Sequence, residues 1–219
     1  MPDLYILMGA NGAGKSTTGA SYLPLHIQKK QEVFDGDKFY WAKIRELYKL
    51  QTPSIKEAKR LSLDILFEHF DNLVQKAIKQ KEDFAYEGHL PDDGNWITPK
   101  RFARAGYAIH IIYLGLRNTT LSEYRVFERA KLGGHNVPPY EIERNFYCNL
   151  EQINKRFKSI DELKIMDTSD LFPRALALLK KGDVESAVHH GKLPEWFEKY
   201  LPTIYSKIIK AEPDIKGNM

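Results

Sequence analysis

The chain has 219 residues, 42 % of them hydrophobic, a formal net charge of +4 and a single cysteine, Cys148. That length and apolar fraction suit one α/β domain, residues 1–219, around one substantial core. A lone cysteine excludes an intramolecular disulfide and an all-cysteine metal cage, and a basic excess this small, with no basic tail, argues against a nucleic-acid partner.

The apolar stretch after Met1-Pro2-Asp3 is too short for a signal-peptide core, and no segment reaches the ~18 apolar residues of a membrane span, so a cytoplasmic protein is expected. Leu4 to Met8 is a continuous apolar run that predicts a strand buried on both faces of a parallel sheet. Gly9-Ala10-Asn11-Gly12-Ala13-Gly14-Lys15-Ser16-Thr17 follows at once. Val33-Phe34 predicts a second strand running into Asp35-Gly36-Asp37. A helical period then runs from Ser54 to about Lys81, with Ser54 and Glu57 as its capping box.

Phe84-Ala85-Tyr86 predicts a third strand that ends at Glu87, and Thr98 with Pro99 opens a short helix that Gly106 closes. Ala108 to Leu116 reads as the fourth strand. Thr120 with Glu123 opens a helix ended by Gly133-Gly134, and Ile142, Phe146, Leu150, Ile153 and Phe157 form the stripe of another. Leu163 to Met166 is the fifth strand, leading into Asp167. Beyond Arg174 the pattern blurs: Ala175 to Leu179 suits a strand or a helix, and Leu193-Pro194-Glu195-Trp196 opens a terminal helix to about Ile209.

Alternating strands and helices predict a three-layer P-loop NTPase fold: α/β, a mostly parallel sheet with helices on both faces, and ligands at the carboxyl ends of the strands. A glycine-rich turn between a buried strand and a helix offers unpaired N–H groups and a partial positive charge to a phosphate chain. Gly9, Gly12 and Gly14 permit close approach there. Lys15 is expected to reach the β/γ-phosphates of ATP, Ser16 to ligate Mg²⁺, and Thr17 to lie near the α-phosphate.

A guanine-reading Asn-Lys-x-Asp is missing, since Asn154-Lys155 lies inside an amphipathic helix, and the signature sequence of transporter ATPases is missing too. Acidic residues after strands two and three, with arginines later, make a kinase pattern. Asp37 suits a base for an attacking hydroxyl, with Asp35 as the competing choice and a helix N-cap as the alternative role. Glu87 suits a contact to substrate hydroxyls or to a Mg²⁺-bound water, or a structural salt bridge. Arg125, Arg129 and Arg144 flank Gly133-Gly134-His135-Asn136-Val137-Pro138, where they would stabilise charge on the moving phosphoryl group or simply pair with nearby glutamates. The seven histidines lack metal-ligand spacing; His89 and His135 lie near the proposed site, and His189-His190 reads as an exposed turn. Alternatives to a small-molecule kinase are an ATPase regulator without an acceptor and a kinase for nucleic-acid ends.

In its separated blocks the chain resembles the zeta toxin family of P-loop kinases, in particular its smaller chromosomal members. The blocks are Gly9 to Thr17, the segment around Asp37, and Arg125-Val126-Phe127-Glu128-Arg129 followed by Gly133 to Pro138 and Ile142-Glu143-Arg144. The resemblance implies an ATP·Mg²⁺-dependent phosphotransferase whose small-molecule acceptor is a nucleotide sugar, UDP-N-acetylglucosamine. It further implies Asp37 as base toward the 3′-hydroxyl, Glu87 on the substrate side, Arg129 and Arg144 on phosphates, and an antitoxin protein as partner; His89 and Arg125, beside these segments, are expected on the substrate side too. Two departures stand out: Glu87-Gly88-His89 where members often have Glu-Thr-Thr, and Arg144-Asn145-Phe146 with Cys148 where further arginines are common.

Overall fold

The computed structural model describes residues 1–30, 32–49, 54–134 and 136–215. In chain order the elements are β1 (Asp3–Gly9), α1 (Lys15–Thr18), α2 (Leu25–Lys30), β2 (Phe34–Asp35), α3 (Gly36–Lys49), α4 (Ile55–Gln80), β3 (Phe84–Gly88), α5 (Ile97–Arg104) and β4 (Ala108–Gly115). There follow α6 (Thr119–Lys131), α7 (Pro139–Arg156), β5 (Glu162–Asp167), β6 (Arg174–Lys180), β7 (Asp183–Ala187), α8 (Glu195–Tyr200) and α9 (Pro202–Ile215). The strands form one seven-stranded sheet in the order β2-β3-β1-β4-β5-β6-β7, parallel from β2 to β5 and antiparallel at β6 and β7.

The apolar run of β1 puts it at the sheet's centre, between β3 and β4, where both faces of the strand are covered. On one face Leu4 and Ile6 lie in register with Phe84 and Tyr86 of β3 and with Ile109 and Ile111 of β4. Phe102 of α5 stacks on Phe84 at 5.6 Å between ring centroids, and Phe70 of α4 meets Tyr86 edge-on at 5.4 Å. Trp196 of α8 presses on Gly115 of β4, where a Cβ would lie 2.3 Å from the indole. The opposite face takes the turn after α1: Gly19 packs on Leu7, and a Cβ there would meet the leucine at 2.9 Å. Helices therefore cover both faces, and the three-layer α/β fold is as expected. Ile6 is fully buried, and truncating it to alanine would cost about 2–5 kcal/mol.

The five expected strands are all present, with β2 cut to Phe34–Asp35 because α3 begins at Gly36. Ala175 to Leu179 is strand: Lys181 and Gly182, with φ of 48° and 82°, make a two-residue turn that returns the chain antiparallel as β7. Ser54 caps α4 as expected, accepting from Glu57 N at 3.1 Å. Asn118, not Thr120, caps α6, accepting from Leu121 N at 2.9 Å. The expected terminal helix is two helices, α8 and α9, interrupted at Leu201, with Pro202 opening the second. Among the described residues no helix is long and apolar enough to cross a membrane.

Candidate active site

The glycine-rich loop leaves β1 and enters α1 at the carboxyl edge of the sheet. Gly12 (φ 72°) and Gly14 (φ 92°) take left-handed conformations that a side chain would strain, and a Cβ on Gly12 would lie 2.9 Å from Cβ of Arg125. The loop is fastened from outside by two buried bonds. Ser122 of α6 donates its hydroxyl to the Asn11 carbonyl at 2.6 Å, and Asn145 of α7 donates its amide to Asn11 Oδ1 at 3.0 Å. Asn11, Ser122 and Asn145 are all buried, where such bonds are costly to lose. Arg125 donates to the Thr168 and Ser169 carbonyls, each at 2.8 Å, and more weakly to Gly12 O at 3.4 Å, tying the loop to the end of β5.

Inside the loop, Lys15 Nζ donates to the carbonyls of Gly9 (3.0 Å) and Ala10 (3.1 Å) and lies 3.3 Å from His89 Nε2. Burial lowers its pKa to about 8, against the pull of Glu87 and Asp37. Ser16 donates its hydroxyl to Glu87 Oε1 at 2.6 Å. Asp35 and Glu87 are opposite each other in the β2–β3 register, so two carboxylates share one face beside that hydroxyl. Burial first, then the neighbouring Asp35, pushes the Glu87 carboxyl up to about 8. Burial works to raise Asp35 as well, but its contacts with Glu87, the Lys38 N–H and Ser16 outweigh that and hold it below the ordinary carboxylate value. Among the described residues, Glu87 Oε2 is buried without a partner of hydrogen-bond geometry.

Asp35 rather than Asp37 caps α3, accepting from Lys38 N at 2.8 Å. Asp37 stands in the first turn, exposed, on a cleft of about 450 Å³ that Ser16, Asp35, Trp41, Arg45, Arg129 and Gly133-Gly134 also line. The structure thus brings Lys15, Ser16, Asp37, Glu87, His89 and Arg129 to one place. Thr17 sits in the first turn of α1, and Arg125 serves the loop's backbone. Arg144 is exposed and outside the lining of that cleft, with its guanidinium 2.6 Å from Asp92. His135 is outside the described residues.

Residues that sequence reasoning passed over are Trp41, Arg45, Ser122, Asn145 and Asn149. Ser122 carried no local signal, and the others only a weak periodic one. Asp37, Trp41 and Arg45 recur at i, i+4 and i+8 on one face of α3, and Asn145 and Asn149 are polar residues four apart within the buried stripe of α7.

The Zeta toxin family model matches residues 1–176. In three dimensions the chain is similar to a chain of the AvrRxo1-ORF1:AvrRxo1-ORF2 complex with sulphate ions, with a TM-score of 0.68 and 17 % identity over 92 % of this chain and 64 % of that one. The same complex with ATP gives 0.68 and 16 % over the same shares. The PezAT chromosomal toxin–antitoxin system of Streptococcus pneumoniae gives a TM-score of 0.58 and 16 % identity, over 96 % of this chain and 87 % of that one. At such identities the likeness is one of fold, and this chain spans 64 % of the length of the AvrRxo1 chain. No curated protein matches in sequence.

Proposed function

Because the chain belongs to the zeta toxin family, we propose that it is a cytoplasmic P-loop kinase that moves the γ-phosphoryl group of ATP to a hydroxyl of a small molecule. The observation that carries this reading is that Asp37 and Arg129 line the same cleft as Ser16, next to Lys15 in the phosphate loop. A base, a cation and a phosphate grip in one cleft are the parts that phosphoryl transfer needs.

The acceptor hydroxyl would bind against Asp37, which takes its proton as the oxygen attacks the γ-phosphorus and the bond to the β-phosphate oxygen breaks. Lys15 would exchange the Gly9 and Ala10 carbonyls for phosphate oxygens, and Arg129 would meet charge developing on the moving group. Ser16, Asp35 and Glu87 suit Mg²⁺: an orphaned, buried Glu87 oxygen and a proton held on one of two facing carboxylates are what a divalent cation relieves. Bound there, Mg²⁺ would neutralise phosphate charge. Trp41 and Arg45 add an aromatic face and a cation, which suits an acceptor combining a ring with phosphate, such as UDP-N-acetylglucosamine. PezAT is a toxin–antitoxin system, and an antitoxin partner for this chain rests on that likeness.

The test is ATP consumption with Mg²⁺, with and without UDP-N-acetylglucosamine, using Lys15→Ala as the blank and mass detection of the sugar product. A product one phosphoryl group heavier is expected. Lysine-dependent ATP turnover with an unchanged sugar would move the acceptor elsewhere, and no lysine-dependent turnover with any hydroxyl acceptor would sink the kinase reading.

A further inference from the structure

We infer that His89 serves the reaction as a neutral hydrogen-bond donor whose Nε2–H, oriented by Asn149, joins Lys15 on one phosphate oxygen. The inference rests on the kinase reading for the identity of that oxygen, and on hydrogen-bond geometry for the rest. The peptide N–H of Leu90 donates to Asn149 Oδ1 at 2.8 Å, and a backbone N–H can only donate. The other end of that fully buried amide, the Nδ2 of Asn149, must therefore be the atom 3.0 Å from His89 Nδ1. An amide nitrogen only donates, so Nδ1 accepts and the ring proton resides on Nε2.

Nε2 lies 3.3 Å from Lys15 Nζ, so an N–H and an ammonium group converge with no acceptor of their own between them. An anionic oxygen seated there would satisfy both. The imidazolium form is disfavoured by the same geometry: its Nδ1–H would face the hydrogens of Asn149, and its charge would face Lys15. The charged groups about this point are Lys15 of α1 and Glu87 of β3, with Asp35 of β2, Asp37 of α3 and Arg129 of α6 around the lysine; from α7 the ring meets the neutral Asn149. His89 accordingly takes no proton in the transfer. It holds the phosphoryl oxygen, while Asp37 receives the proton. Asn149 is a positioning residue.

Long-range ¹H–¹⁵N NMR of the histidine rings in the full chain reads the tautomer directly. The expected result is an unprotonated Nδ1 and a protonated Nε2 from about pH 5.5 to 8, across the range where an ordinary histidine titrates, with the Nε2 signal moving when Mg²⁺ and a non-hydrolysable ATP analogue are added. A proton on Nδ1, titration in the ordinary range, or an Nε2 signal indifferent to the analogue would overturn it, and none of these outcomes bears on whether ATP is consumed. Kinetics supply the second arm. His89→Gln keeps an N–H near the Nε2 position and should retain most of kcat, whereas His89→Met keeps bulk without the donor and should lose about 10- to 100-fold. Asn149→Asp still accepts from Leu90 but also accepts from Nδ1, so deprotonation then strips Nε2 of its hydrogen. That variant should acquire a fall in kcat as pH rises through the histidine range, a limb the parent lacks. Equal losses in the Gln and Met variants, or parallel pH profiles for Asn149→Asp and the parent, would refute the inference.

Discussion

The two sides of the cleft are built differently. On the phosphate side the loop is held by bonds between buried groups, Asn11 to Ser122 and Asn11 to Asn145, and by part-buried Arg125 bound to the chain after β5. On the acceptor side Asp37 and Arg45 are exposed, Trp41 is half-buried, and all three ride on a helix that follows an edge strand of two residues. Electrostatic stabilisation works when donors are fixed before the charge arrives, which is what the buried ties achieve. In the proposed reading the exposed part of the acceptor side, Asp37 and Arg45, changes at little cost in stability, since surface substitutions mostly fall within about 0.5 kcal/mol. Within this architecture the phosphate grip is the fixed half and acceptor choice the adjustable one.

The largest effect should come from the fixed half. Lys15→Ala removes the cation of the grip and should lower turnover on the order of 10³-fold or more, with the protein still folded by circular dichroism. Next comes the one acceptor-side residue with a chemical role in the proposal. Asp37→Asn should cut kcat by roughly 10²- to 10⁴-fold and leave ATP affinity, measured by calorimetry, unchanged. A variant with the parent's rate would remove Asp37 as base.

The same contrast explains what was legible in the sequence. The fixed half was written in strong local signals: an apolar run of strand length, then glycines, lysine and serine at set spacing, and arginines beside a Gly-Gly turn. Its fastenings were hidden, because Ser122 and Asn145 look like ordinary helix residues until α6 and α7 close over Asn11, more than a hundred positions away. Asp35 and Asp37 remained ambiguous for a local reason: two aspartates around one glycine both suit a cap and a base, and only the turn geometry gives the cap to Asp35. The β6–β7 hairpin was obscured since Ala175 to Leu179 is short and apolar, a pattern strand and buried helix share, and its turn begins with Lys181 in the left-handed conformation that glycine or asparagine usually fills.

A smaller effect sharpens the comparison on stability. Asn145→Ala strands a buried oxygen of Asn11 and should cost about 1–3 kcal/mol, lowering Tm by roughly 2–4 °C per kcal/mol and weakening ATP binding along with it. Trp41→Phe, which keeps most of the ring packing, and Arg45→Ala should leave Tm nearly unchanged while raising KM for the acceptor. Similar losses of Tm in all three variants would erase the distinction between a fixed and an adjustable side.

The smallest effect lies at the seam, where Glu87 belongs to both sides. Its folded pKa is raised from 4.5 to about 8, by burial first and by Asp35 second, so the native carboxyl keeps a proton that the unfolded chain has already released. The native state binds the extra proton between those values, so the contribution of this carboxyl to stability falls as pH rises from 4.5 through 8. Lys15, lowered from 10.5 to about 8, acts in the opposite sense but only at higher pH, where native deprotonation relieves its cost. His89, held well below the ordinary histidine value by burial and by Lys15, also acts in the opposite sense below about pH 6.5, so it is the difference between the parent and Glu87→Gln that isolates Glu87 between about pH 5 and pH 8. Glu87→Gln should raise Tm at the upper end by roughly 2–4 °C, about 1 kcal/mol, and by less at the lower end. Mg²⁺ favours the ionised carboxyl, so it should raise the parent's Tm more at the upper end than at the lower and do little for Glu87→Gln. A Mg²⁺ response that is the same in parent and variant would place the cation away from Glu87 and return that residue to the substrate side of the cleft.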